Sequence, residues 1–231
     1  MTEAIPTLLS WSSGKDSAWS LYVLQHAPEY RVCGLLTTVN AASDRVAMHS
    51  TRRELLEAQA ASAGLPLHII RLPSPCSDEI YEAQMQGAYS SAVTRGVGAM
   101  AFGDLFLEDI RVYRERGLAG SGIKPVFPVW KLPTDVLVRE MIAAGLRSRV
   151  VCVDPQKLPA EFAGRNVDEQ FLRDLPAYVD PCGENGEFHT FVYDGPMFRW
   201  PIAVEDSEVV ERDGLVFADL RIRLEERTPQ S

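Results

Sequence analysis

Between Leu8 and His26 an apolar run gives way to a helix-patterned run across a polar hexapeptide, SSGKDS, Ser12 to Ser17. Leu8-Leu9-Ser10-Trp11 reads as a buried strand and Ala18 to His26 as a helix. A strand that turns into a helix through glycine, lysine and hydroxyls constrains the chain to a parallel α/β sheet with an anion site at the junction. The first N–H groups of a helix lack intrahelical partners and carry the positive end of its dipole. Gly14 allows close backbone approach to an anion, Lys15 supplies a point charge, and Ser12 and Ser17 supply hydroxyls. Ser17 is also a candidate helix cap. Asp16 beside a phosphate calls for a divalent metal or a turn-orienting role. The segment is not a Walker A loop, because no glycine stands at position 9 and an aspartate follows the lysine. The bland alternative is a strand–turn–helix with a polar cap.

The pattern repeats downstream. Strand-like runs at Val32 to Val39, Leu67 to Leu72, Gly98 to Phe102, Lys124 to Phe127 and Arg147 to Val153 alternate with helix-like runs. Those helices are Thr51 to Ala63, Ser77 to Val93, Leu105 to Arg116 and Thr134 to Ala144, with Gly64 and Gly145 as stops. The expected fold is a mainly parallel sheet with helices on both faces. After about Asp154 prolines and glycines break the rhythm around a short helix, Asp168 to Leu175. Ile202 to Val210 and Leu215 to Leu224 then flank Asp213-Gly214, a hairpin turn signal. The expected division is 1–154 for a nucleotide-binding domain and 155–231 for a smaller α+β substrate-binding region ending in that hairpin. Glu225 to Ser231 reads as a frayed tail.

The 231 residues carry a formal net charge of -9, which disfavours a large nucleic-acid footprint; a local basic patch at Arg111, Arg114 and Arg116 is the exception. No apolar run approaches the roughly 20 residues that cross a bilayer, and the N-terminus does not read as a signal peptide. Cys33, Cys76, Cys152 and Cys182 are scattered without a C-x-x-C pair. Reduced, packing thiols in a cytoplasmic protein are the expectation.

A second dense motif is DPCGENGEFHTFVYDGP, Asp180 to Pro196. Gly183 and Gly186 bracket Asn185, and Glu184, Glu187, His189 and Thr190 crowd beside an apolar strand. Carboxylates placed so can bind a cation, hold an ammonium or deprotonate an amine, and His189 can act near neutral pH. A capped turn with solvated acids fits the composition equally well.

SSGKDS resembles the pyrophosphate loop S-G-G-K-D-S of the N-type ATP pyrophosphatases, with Ser13 where that family has glycine. A serine there calls for ordinary backbone geometry or mild strain. Paired with GENGEFHTFVYDGP, it is similar to the diphthine–ammonia ligase family. The likeness extends through AMHSTRRELLEAQAASAGLPLHIIRLP (47–73), GVGAMAFGDLFLEDIRVYRE (96–115) and KPVFPVWKLPT (124–134). The resemblance implies a Rossmann-like, HUP-type sheet and a reaction in which ATP adenylates a carboxylate, releasing pyrophosphate, before ammonia displaces AMP. In that family the acceptor is diphthine, a modified histidine on elongation factor two; a small carboxylic acid is the alternative.

By matching position, Ser12, Ser13, Gly14, Lys15, Asp16 and Ser17 hold ATP, with Lys15 a solvent-facing phosphate ligand and Asp16 the Mg2+ ligand. Thr37, Met48 and His49 line the adenosine pocket, His49 having a bland alternative as a polar residue at a helix start. Gly103 and Asp104 end a central strand, where such sheets bind ligands, and Asp104 orients the α phosphate through magnesium or binds the amine. Gly183, Glu184, Asn185, Gly186, Glu187, His189 and Thr190 form the acceptor side. Lys15, Asp104 and Glu187 are the catalytic candidates, Glu187 first for binding or deprotonating ammonia. Two further readings stay open: a pyrophosphate-loop enzyme acting on transfer RNA, and a nucleotide sensor without turnover. A homodimer is the oligomer to expect.

Overall fold

The computed structural model describes residues 3–46 and 50–223. Met48 and His49, and the tail 225–231, lie outside the described residues. In chain order the first half runs β1 (Ile5–Ser10), α1 (Lys15–Gln25), β2 (Tyr30–Asn40), β3 (Arg45–Val46), α2 (Arg53–Ala63), β4 (Leu67–Leu72), α3 (Asp78–Thr94), β5 (Ala99–Ala101), α4 (Glu108–Leu118) and β6 (Lys124–Val126). Strands β4, β2, β1, β5 and β6 lie side by side and parallel, with the short β3 antiparallel on the end of β2.

The apolar run of β1 is buried on both faces. Leu8 packs with Met85, Tyr89 and Met100, beneath α3 and α4. Leu9 packs with Leu21, Leu35 and Leu56, toward α1 and α2. Successive strand residues point to opposite sides, so one run serves two layers. Each buried leucine contributes about 2 kcal/mol from burial. Helix α2 stops where Gly64 adopts φ 69°, and Leu65 N donates to Ala60 O at 3.0 Å, the closing bond of a left-handed cap. Helix α3 starts on Ser77, whose hydroxyl accepts from Ile80 N.

The second half runs α5 (Thr134–Ala143), β7 (Arg147–Val153), α6 (Glu169–Asp174), β8 (Phe188–Asp194), β9 (Val204–Arg212) and β10 (Leu215–Ile222). Its four strands form an antiparallel sheet in the order β8-β7-β10-β9. The Asp213-Gly214 hairpin forms with both turn residues at positive φ. The sequence pattern grouped Arg147–Val153 with the first half; sheet membership puts it in the second. A lone strand run does not reveal its partners, and this one pairs with residues 188–194 and 216–217. The halves share one core, which runs from Leu9 and Ala18 through Met141 and Val150 to Phe171, Phe188 and Val192. No helix among the described residues is long and apolar enough to cross a membrane.

Candidate active site at the switch point of the parallel sheet

From β1 the chain moves outward through β2 to β4, then returns to add β5 and β6 on the other side of β1. The crevice beyond the carboxyl ends of β1 and β5 is therefore the switch point, where such sheets bind ligands. A cavity of about 470 Å³ opens there. Ser12, Gly14, Lys15, Asp16 and Ser17 line it from the first loop, Gly103 and Asp104 from the second, and Arg114 from α4. Cys182, Gly183, Glu184, Phe188, His189 and Thr190 line it from the segment that leads into β8. The two motifs, some 170 residues apart in sequence, thus form one site. Gly103 lets the second loop pack against the first: a Cβ there would stand 2.9 Å from the backbone of Asp16 and Ser17.

The loop at 12–17 is held from outside itself. Ser13 takes φ 73°, so the strained position falls on the serine, while Gly14 at φ -85° needs no glycine. The Ser13 hydroxyl bonds the Thr51 hydroxyl at 2.9 Å, both buried. Gln59 accepts from Trp11 Nε1 at 2.9 Å and donates from Nε2 to Ser13 O and Val192 O. One buried amide thereby ties the loop to α2 and β8. Thr190 Oγ1 accepts from Lys15 N at 3.0 Å, capping the start of α1 from the second sheet. Ser17 is not the cap; its hydroxyl donates back to Gly14 O at 2.9 Å. Ser12 and Ser17 share a hydrogen bond at 3.1 Å.

Lys15 is not solvent-facing as expected: it is 2% exposed. Its ammonium donates to Asp16 Oδ2 at 2.8 Å and to Cys182 O, and stands 5.5 Å from the Phe188 ring centroid. Burial pushes both members of this pair toward neutrality. For Lys15 the Asp16 carboxylate, with Cys182 and Glu184, outweighs burial, and the ammonium is held above its ordinary value. Asp16 Oδ1 is buried with no hydrogen-bond partner among the described residues.

The loop at 180–190 divides its acids. Asp180 accepts from the Thr134 hydroxyl and from Glu184 N. Glu187 is 4% exposed, and its Oε1 accepts from Asp180 N at 3.0 Å and Asn185 Nδ2 at 3.2 Å. Neither Glu187 nor Asn185 and Gly186 line the cavity. Glu187, expected to meet ammonia, holds the turn with Oε1, because the tight turn buries N–H groups that need an acceptor, and its Oε2 is buried without a partner among the described residues. Glu184 lines the cavity instead. Its Oε1 accepts from Leu105 N at 2.7 Å, and burial, with Asp16 and Asp104 adding, pushes its carboxyl up to about 7. His189 also lines the cavity, but burial, with Lys15 and Lys157 adding, pushes it down to about 4, so it is neutral where the sequence suggested a near-neutral titration. Burial likewise pushes the Cys182 thiol up. Its Sγ donates to Thr134 O, a packing role.

A neighbouring cavity of about 300 Å³ shares Ser10, Ser12, Phe102, Arg114 and His189 with the first and adds Thr37, Leu36, Val46 and Met100. Thr37 Oγ1 is buried without a partner among the described residues. Asp104 receives Arg114 Nε at 3.3 Å. Sequence reasoning singled out neither Gln59 nor Phe102, and Arg114 only as part of a basic patch. Among the described residues no group of three metal-ligating side chains gathers. Magnesium on a nucleotide needs one or two carboxylates and keeps its waters, and the open acceptor on Asp16 suits that.

A Rossmann-like sheet with an anion-ready loop at its switch point, closed by an acidic loop from an antiparallel sheet, defines a class of α/β protein. The chain belongs to the diphthamide synthase family: that family's N-terminal domain matches residues 6–125 and its C-terminal domain residues 133–220. A diphthine–ammonia ligase of Danio rerio is 27% identical over 227 residues, 90% of this chain and 89% of the relative. One of Homo sapiens is 30% identical over 127 residues, 53% of the chain and 48% of the relative. One of Schizosaccharomyces pombe is 27% identical over 106 residues, 44% of the chain and 18% of the relative. The chain thus spans about half of the human relative in that match and nearly all of the zebrafish one.

Proposed function

We propose that this protein is an ATP-dependent ligase that converts a carboxylate to an amide with ammonia, releasing AMP and pyrophosphate. The observation that carries this reading is the juxtaposition, in one cavity, of the Lys15 ammonium on the 12–17 loop with the Glu184 carboxyl poised at about 7. Ser12, Gly14, Lys15 and Ser17 hold the phosphates that depart, and Lys15 stabilises the charge that grows on them. The adenosine sits by Thr37. Asp16, with Asp104, presents carboxylate oxygens to Mg2+, which supplies charge neutralisation when bound.

In the first step a carboxylate oxygen bonds to the α phosphorus and pyrophosphate leaves with the bond's electron pair. In the second, the ammonia nitrogen bonds to the acyl carbon, AMP leaves, and a proton passes from nitrogen to Glu184. A carboxyl near 7 is half ionised at neutral pH, which suits a general base there. The walls given by Phe102, Phe188 and Leu107 limit water at the activated acyl group. Diphthine is the acceptor we infer from the relatives' names. The four cysteines are free, as a cytoplasmic setting keeps them.

Phosphorus NMR of the protein with magnesium-ATP, ammonium, diphthine-bearing elongation factor and a panel of small carboxylates tests this. AMP and pyrophosphate that depend on an acceptor are expected. ADP and orthophosphate would overturn the reading.

A further inference from the structure

A third cavity, about 460 Å³, lies between α3 and α4. It is nearly as large as the site cavity and within the range that holds small organic ligands. Its walls carry Tyr81, Tyr89, Tyr113 and Met85. Arg114 lines this cavity, the site cavity and the Thr37 cavity alike, so the three meet at one guanidinium.

That guanidinium is oriented and partly uncommitted. Its carbon lies 5.2 Å from the Phe102 ring centroid, and Nε is taken by Asp104. The two terminal nitrogens make no hydrogen bond to the described residues, and a fork of this kind matches a carboxylate. Tyr89 is 5% exposed and its hydroxyl bonds none of the described residues. A hydroxyl that lines a cavity and has no partner among the described residues is available to a polar group that arrives with a ligand. Burial pushes the Tyr89 hydroxyl up to about 12, with Tyr81 adding and Arg114 opposing. Glu82, Gln86 and Arg116 are exposed, so this end of the cavity reaches solvent, and Gln86 Nε2 donates to Gly117 O at 2.7 Å across the two helices.

We propose that the α3–α4 cavity is the acceptor pocket, taking a carboxylate on a ring-bearing or apolar body with its oxygens on Arg114 and its body among the tyrosines. This rests on the ligase reading above and adds the place and chemistry of the acid. The acid enters between the helices and reaches the α phosphorus at Arg114, opposite the loop that holds the departing phosphates. A free acid and an acid on a protein side chain share this chemistry.

Gly117 lines the cavity on α4, and a Cβ added there meets nothing within 4 Å, so Gly117→Trp fills the cavity without straining the helix. Gln86→Trp on α3 is the second blocker. Gly87→Trp, on the same helix but outside the cavity and equally unobstructed, is the control. Binding of phenylacetate, of indole-3-acetate and of a peptide carrying 4-(carboxymethyl)phenylalanine is titrated by calorimetry with α,β-methylene-ATP saturating. At least one probe is expected to bind, about tenfold or more weaker in both blockers and within about twofold in the control. Binding of the free acids points to a small-molecule source, and of the peptide alone to a protein-borne one. Equal binding in blockers and wild type, or no binding by any probe, overturns the proposal. Titration of α,β-methylene-ATP alone reads the ligase assignment separately: its failure in wild type sinks that reading, whereas retained nucleotide binding without cavity-dependent acid binding sinks only this one.

Discussion

The loop at 12–17 and the loop at 180–190 face each other across the site, and their charged residues do different work. In the first, the buried Lys15 and the partly exposed Asp16 are an ion pair at the cavity, and Lys15 also touches the facing loop. On the proposed function, structure and chemistry are carried by the same atoms. In the second they are separated. Glu187 satisfies backbone and amide donors inside the turn, and Glu184, three residues earlier, faces the cavity. A tight turn rich in acids keeps some of them as acceptors for its own N–H groups, and only the remainder is free for chemistry.

The largest effect is expected at the first loop, where the two roles cannot be parted. Lys15→Met should lower AMP formation by about 10³-fold and unfolding free energy by about 3 kcal/mol, because Asp16 is left without a counter-ion. Urea unfolding and product assays read both. Adding Asp16→Leu should restore most of the stability and none of the turnover. A stable, inactive single variant would show the roles to be separable there too.

At the second loop Glu184→Gln should lower turnover by about 100-fold and remove a rise in rate that centres at about pH 7 in the wild type. The stability sign is opposite. The folded carboxyl, at about 7, lies above its ordinary 4.5, so ionisation disfavours the fold and wild-type stability declines as pH rises between those values. Glu184→Gln removes that decline, and its thermal midpoint above pH 7 should match or exceed the wild type's. A lower midpoint would mean that Glu184 helps hold its loop.

Much of this division was legible in the chain and part was not. The buried run at Leu8-Leu9, the Gly64 stop and the Asp213-Gly214 hairpin are local signals, and all three form. SSGKDS and GENGEFHT, paired by resemblance, line one cavity. The expected helix from Leu105 instead begins at Glu108, and Leu105 N is given to Glu184, 79 residues away. Gln59 sits in a helix whose pattern reads as generic, and its partners lie 46 to 133 residues distant. Which of two glutamates meets the cavity depends on such contacts, and spacing alone does not encode them.

Smaller effects probe the scaffold around both loops. Asp219 on β10 receives Arg45 at 2.7 Å and Arg52 at 2.6 Å, fastening the terminal hairpin to β3 and to the start of α2. Burial raises its carboxyl, but the two arginines outweigh that and hold it below the ordinary 3.8. Its stabilisation is present above that value and lost as pH falls below it through the lower folded value. Asp219→Asn should cost about 2 kcal/mol at pH 7, with the gap to wild type closing in acid, read by chemical denaturation across pH. The smallest effect belongs to Ser13→Gly. Relief of the positive φ and loss of the bond to Thr51 oppose each other, so unfolding free energy should change by about 1 kcal/mol or less. A larger loss would make the Thr51 bond the main restraint on the loop.

The comparison is tested most directly by AMP released per folded molecule in Glu187→Ala and Glu184→Gln, with thermal midpoints measured on the same samples. We predict that Glu187→Ala unfolds earlier yet turns over within a few-fold of wild type while folded, and that Glu184→Gln keeps its midpoint and loses turnover. The reverse pattern, a stable but inactive Glu187→Ala beside an active Glu184→Gln, would contradict the assignment of Glu184 to the reacting amine.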